Sequence, residues 1–216
     1  PTIEKIEKPK IIATGYVVPG TPSEKKLETS EDVRKRFGDV YKKTVGAIVN
    51  LFCKVKVKDG IASITGTGIF VDPRGIILTN AHLGQYFLLE DYLPESELSC
   101  DVRTGSPAQP KYKAKVIFIA PEWIKDNYQD IGKIDPQGTG KNDYAFLAIT
   151  ETTSPAIPLP EAFGYLESNA EQSEIETGRE VLIAGYPNEF FGNTFLKNLS
   201  LVSAVIEIGE IFSFEG

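Results

Sequence analysis

Gly66-Thr67-Gly68-Ile69-Phe70-Val71-Asp72-Pro73-Arg74-Gly75-Ile76-Ile77-Leu78-Thr79-Asn80-Ala81-His82-Leu83 is the stretch that decides how this 216-residue chain folds. Ile61 to Val71 reads as a strand bounded by a turn signal. Asp72-Pro73-Arg74-Gly75 suits a type I turn, with Asp at the first position, Pro at the second and Gly at the fourth. Ile76 to Thr79 then returns, so residues 61–79 form a hairpin. The only histidine of the chain, His82, falls where that hairpin ends and the chain turns.

The same two-residue period extends to both sides. Leu51, Cys53, Val55 and Val57 alternate with Phe52, Lys54, Lys56 and Lys58, as in a half-buried strand. Tyr112, Ala114, Val116 and Phe118 alternate with Lys111, Lys113 and Lys115. Tyr144 to Thr150 is an apolar strand, preceded by a polar insertion at 121–142 and followed by a proline-bearing connector at 152–160. Glu180–Tyr186, Thr194–Ser200 and Leu201–Ile208 suggest at least two more strands. Ahead of these, Ser30 opens one amphipathic helix over about 31–45. Glu31 and Asp32 stand in its first turn, and Val33, Phe37, Val40, Tyr41 and Thr44 recur at the helical period. Packing of Val33, Phe37 and Val40 on the strands that follow is the simple reading of that helix. Short strands, Gly/Pro turns and almost no helix after residue 46 make the chain all-β, a sandwich or barrels.

Composition narrows the function classes. No apolar run reaches the roughly 18–20 residues that span a bilayer. The first residue is Pro and there is no Met, which suggests a piece of a longer product. Residues 1–60 hold 13 Lys and Arg against 8 Asp and Glu, and residues 61–216 hold 10 against 22. The acidic body argues against nucleic-acid binding. The basic head reads as a solvated helix face, with a membrane surface or the body itself as the other partners it could touch. Cys53 and Cys100 match no metal-ligand spacing, and with one histidine a zinc site is not expected; a disulfide and two buried free thiols both fit. Gly66 and Gly68 precede no helix that could hold a phosphate, so a turn or a close-packing role in the strand is expected of them. Asn198-Leu199-Ser200 is a glycosylation sequon set in a strand and is read as chance. Trp123 and Tyr128 in the insertion read as packing for the loop, with a substrate rim as the other reading.

Three motifs in fixed order carry a resemblance. The Gly66–Leu83 run resembles the "G-x-G-ϕ-ϕ" strand, turn and "ϕ-ϕ-T-N-x-H" of the trypsin/chymotrypsin-like serine proteases, especially the HtrA-like and related bacterial branch. Asn142-Asp143-Tyr144-Ala145-Phe146-Leu147-Ala148-Ile149 resembles the family's "D-ϕ-A-ϕ-L". Gly178-Arg179-Glu180-Val181-Leu182-Ile183-Ala184-Gly185-Tyr186-Pro187 resembles the strand that opens the second barrel. The likeness covers about residues 45–216. It implies two antiparallel β-barrels, a general base at His82, and Asp143 as the carboxylate that orients it. It further implies peptide-bond hydrolysis through an acyl-enzyme, a polypeptide substrate, no cofactor or metal, and work outside the cytoplasm or in the periplasm.

One part of the pattern is missing. The family's nucleophile lies in a G-x-S-G loop that also forms the oxyanion hole, and no such tetrapeptide occurs here. Ser106, Ser154, Ser200, Ser203 and Ser213 all lack flanking glycines of that kind. In the Ser-His-Asp template about ninety residues separate Asp from Ser, which places the serine near position ~233. The expected organisation is an extended arm at 1–29, the helix at 30–46, a first barrel at 47–155, and the opening strands of a second barrel at 156–216. A catalytically inactive, protease-like module binding peptides or a protein partner is the alternative function. Homo-oligomerisation through the helix and association with a C-terminal fragment both remain open as partnerships.

Overall fold

The computed structural model describes residues 30–58, 60–130, 140–167, 176–187 and 199–209. The expected arm at 1–29, part of the insertion, the segment 194–198 with Asn198, and Ser213 lie outside them. In chain order the elements are α1 (Ser30–Ala47), β1 (Ile48–Val57), β2 (Gly60–Asp72), β3 (Ile76–Thr79) and α2 (Ala81–Leu89). They continue with β4 (Leu98–Thr104), β5 (Gln109–Ile119), α3 (Pro121–Asn127), β6 (Ala145–Thr152), β7 (Glu180–Gly185) and β8 (Val202–Glu207).

Strands β1 to β6 close into an antiparallel barrel in the order β1-β2-β3-β6-β5-β4, while β7 and β8 pair as a separate two-stranded sheet. The fold is mostly β, as the strand pattern implies, and of the chymotrypsin-like kind, as the resemblance implies. The 61–79 hairpin is present: β2 and β3 pair through Ile69–Leu78 and Phe70–Ile77. Its turn is closed by the amide of Gly75 donating to the Asp72 carbonyl at 3.1 Å, with Asp72 Oδ1 accepting the Arg74 amide at 2.8 Å.

Alternation accounts for the barrel interior. Val49, Leu51 and Cys53 of β1 point inward and meet Leu98, Cys100 and Val102 of β4, with Leu147 and Ile149 of β6 completing the core. Strand β4 escapes the reading above although it carries the same signal, Leu98, Cys100 and Val102 alternating with Ser99, Asp101 and Arg103. The half-burial expected of β1 holds only for its second half: residues 48–53 are all buried. Its outer face is covered as well, since Ile48 and Phe52 pack with Ala108, Tyr186 and Leu199. The Arg103 guanidinium lies 3.4 Å from the centre of the Phe52 ring. Burying a ring of that size contributes about 1.5–3 kcal/mol.

The Gly185-Tyr186-Pro187 motif makes that cover. The Tyr186 hydroxyl donates to the Gly105 carbonyl at 2.7 Å, and its amide donates to Thr67 Oγ1 at 2.9 Å. Beside it, the Ala108 amide donates to the Leu199 carbonyl at 2.7 Å. The β7–β8 sheet is therefore tied to the outside of the barrel by both hydrogen bonds and apolar burial.

Three expectations need correction. Helices α2 and α3 follow residue 46; α2 is apolar on nearly every side, which hides its period, and α3 is short. Trp123 on α3 is 2% exposed and packs with Ala81 and Ala120, which accords with the packing reading, whereas Tyr128 is exposed. Helix α1 is kinked at Gly38 (φ 42°, ψ −109°), so a single helical period does not run through it. Val40 is 57% exposed, and α1 lies alongside β7, β8 and β2, with Arg36 Nη2 3.1 Å from Glu180 Oε1.

Cys53 and Cys100 face each other across β1 and β4 and form a disulfide, so the free-thiol alternative does not hold. The bridge joins residues 47 apart in sequence. Closing a loop of that length stabilises by about 2–4 kcal/mol through the unfolded chain. The paired replacement Cys53→Ala and Cys100→Ala is expected to lower unfolding free energy by about that amount. Denaturant titration checks it, and an unchanged midpoint counts against it.

Candidate active site

Register brings the site together. Thr79, the last residue of β3, pairs with Ala145, the first of β6. In an antiparallel pair the residues just after one strand meet those just before the other, so Asn80 to His82 face Asp143. Each side is set locally. The Thr79 hydroxyl donates to the Thr67 carbonyl at 3.0 Å, fixing the end of β3. Asp143 is delivered by a turn in which Asn142 takes a positive φ of 56°, a conformation that Asn tolerates better than most residues.

Helix α2 carries His82 and sits unusually close to the barrel. A Cβ at Gly66 would collide with the Leu83 side chain, and one at Gly84 would come within 2.7 Å of the Ala145 Cβ. The expected close-packing role of Gly66 is thus its observed one. Leu83, Tyr86 and Phe87 are buried beneath the helix. A larger residue at 66 or 84 would push α2 outward and draw His82 away from Asp143.

His82 Nδ1 lies 2.7 Å from Asp143 Oδ2, and the His82 backbone amide donates to Asp143 Oδ1 at 2.9 Å. Because the carboxylate is an acceptor only, Nδ1 carries the proton and Nε2 is the basic nitrogen of the neutral ring. The Asp143 side chain is 6% exposed and the His82 side chain 23%. Burial pushes the Asp143 carboxyl up, but the hydrogen bonds from the His82 ring and from the His82 and Ala81 amides, with the ring's charge, outweigh it. The carboxyl is held below its usual range.

That direction fixes a sign. A depressed carboxyl contributes stability that is fully present above the ordinary carboxylate range and is lost as pH falls through the lower folded value. Acid unfolding of Asp143→Asn is therefore expected to show a shallower loss of stability than the parent over that window. Acid titrations of both proteins, followed by circular dichroism, check this; identical pH slopes contradict it.

His82 and Asp143, predicted from motifs some 60 residues apart, are thus in contact. Of the serines considered above, the described ones are not brought to them: Ser106 Oγ accepts the Leu201 amide at 3.1 Å in the tie between barrel and second sheet. Ser154 lies on the connector after β6 and Ser203 on β8, with Ser200 just before that strand. Among the described residues none is hydrogen-bonded to His82. Motif reading assigned no role to Asn80, although its "T-N-x-H" contains it; Asn80 Nδ2 reaches both Asp143 Oδ2 and the Asp143 carbonyl. A buried carboxylate that fixes the tautomer of a partly exposed imidazole is an arrangement able to take and return a proton at Nε2.

The Trypsin family model matches residues 47–208, three quarters of the chain. No curated protein matches it.

Proposed function

The chain belongs to the trypsin family, and on that premise we propose that it is a serine endopeptidase with His82 as general base and Asp143 as its orienting partner. The observation that carries this reading is the 2.7 Å contact between His82 Nδ1 and Asp143 Oδ2, with the ring's other nitrogen free of that duty. The nucleophile would be a serine in sequence following Gly216, since the 216 residues hold no G-x-S-G. The first barrel, 47–155, would supply base and acid, and the barrel opened by 156–216 the nucleophile and oxyanion donors.

In the proposed reaction the serine hydroxyl gives its proton to His82 Nε2 as its oxygen bonds to the scissile carbonyl carbon. Asp143 stabilises the resulting imidazolium without itself taking the proton. Nε2 then protonates the leaving amine, the C–N bond breaks, and an acyl-enzyme remains. Water enters by the same route: its proton passes to Nε2 as its oxygen bonds to the acyl carbon, the bond to the serine oxygen breaks, that oxygen takes the proton back from Nε2, and the acid product leaves. The buried disulfide suits an oxidising compartment, which supports work outside the cytoplasm, as the likeness to the HtrA-like branch implies.

Hydrolysis of an unfolded protein such as casein by the full-length protein, blocked by a fluorophosphonate, is the expected result. The absence of G-x-S-G favours a second reading, an inactive module that binds polypeptides. Binding of casein without cleavage would establish it in place of the first.

A further inference from the structure

We propose that Asn80 is a positioning residue for the His82–Asp143 pair, holding the Asp143 carboxylate in the plane that meets the imidazole; this rests on the role given to that pair above. Asn80 is the N-cap of α2, yet its side chain makes no capping hydrogen bond. An asparagine at this position ordinarily accepts an amide of the first turn through its oxygen. Here Asp143, from the far side of the barrel's β3–β6 edge, takes that duty: its Oδ1 accepts the His82 amide at 2.9 Å.

The Asn80 amide is thereby released to act as a donor. Its Nδ2 lies 3.3 Å from Asp143 Oδ2 and 3.2 Å from the Asp143 carbonyl oxygen. Both partners are oxygens without hydrogens, so the nitrogen and not the oxygen of the amide must face them. Holding the main chain and the side chain of one residue at once restricts the rotation of that side chain. Oδ1 and Oδ2 consequently have separate tasks. The first closes the helix end, and the second, steadied by Asn80, accepts the hydrogen bond from His82 Nδ1.

The test uses Asn80→Ser and Asn80→Ala in the full-length protein. Serine caps helices as well as asparagine does but is too short to hold both Asp143 oxygens. The expected result is a roughly tenfold fall in kcat with KM unchanged in both variants, the loss of one hydrogen bond to a charged group. The thermal midpoint of Asn80→Ser should stay at the parent value. The hydrogen-bonded Nδ1 proton of His82, identified by its disappearance in His82→Ala, should broaden in both variants. Unaltered proton signal and kcat in both, or recovery of both by serine, would overturn the proposal. The proton signal is read without substrate, so a parent protein that cleaves nothing refutes the proposed function, whereas an unmoved signal refutes this inference.

Discussion

Replacing His82 by alanine is expected to lower kcat by about 10⁴- to 10⁶-fold while leaving the fold in place. The loss is large because the serine hydroxyl is a weak nucleophile until a base removes its proton, and in the described residues only this imidazole is poised for it. The fold survives because α2 is anchored by other groups. Leu83, Tyr86 and Phe87 remain buried, and the Asp143 carboxylate keeps the residue-82 amide and Asn80. Casein hydrolysis measured alongside the thermal midpoint separates the two effects. Turnover within tenfold of the parent would remove His82 from the mechanism.

Asp143→Asn is expected to cost nearly as much, about 10⁴-fold in kcat, the loss seen for this change in the Ser-His-Asp template. The side chain keeps its size and can still accept the His82 amide through its oxygen. Its nitrogen, however, would face Nδ1 as a donor and favour the ring tautomer protonated at Nε2. That tautomer cannot accept the serine proton. KM should change little, because no substrate contact is removed. A kcat near the parent's would mean that Asp143 serves only as the cap of α2.

How much could be read beforehand follows from which features are periodic and which are not. The 61–79 hairpin, β5 and β6 were legible because the hairpin turns at Asp72-Pro73-Arg74-Gly75, β5 alternates, and β6 is an apolar run that opens after Asp143. The Gly66–Leu83 and Asn142–Ile149 motifs singled out His82 and Asp143, and the antiparallel register that joins the end of β3 to the start of β6 brings the two into contact. What escaped is aperiodic or depends on tertiary contact. Helix α2 is buried on most sides, so no polar face marks it. The first half of β1 loses its alternation because Tyr186 and Leu199 cover its outer face. The pairing of Cys53 with Cys100 depends on β4 lying beside β1. The turning of Asn80 from its own helix toward Asp143 depends on which oxygen the His82 amide already occupies.

The proposed base–carboxylate pair makes one demand that a binding module does not: it must activate a serine. Intact mass of the full-length protein after treatment with a fluorophosphonate tests this most directly, run beside His82→Ala. A single adduct on the parent, with labelling of His82→Ala slowed by orders of magnitude, is the result the account predicts. A parent that acquires no adduct, or an adduct formed equally fast without His82, would contradict it.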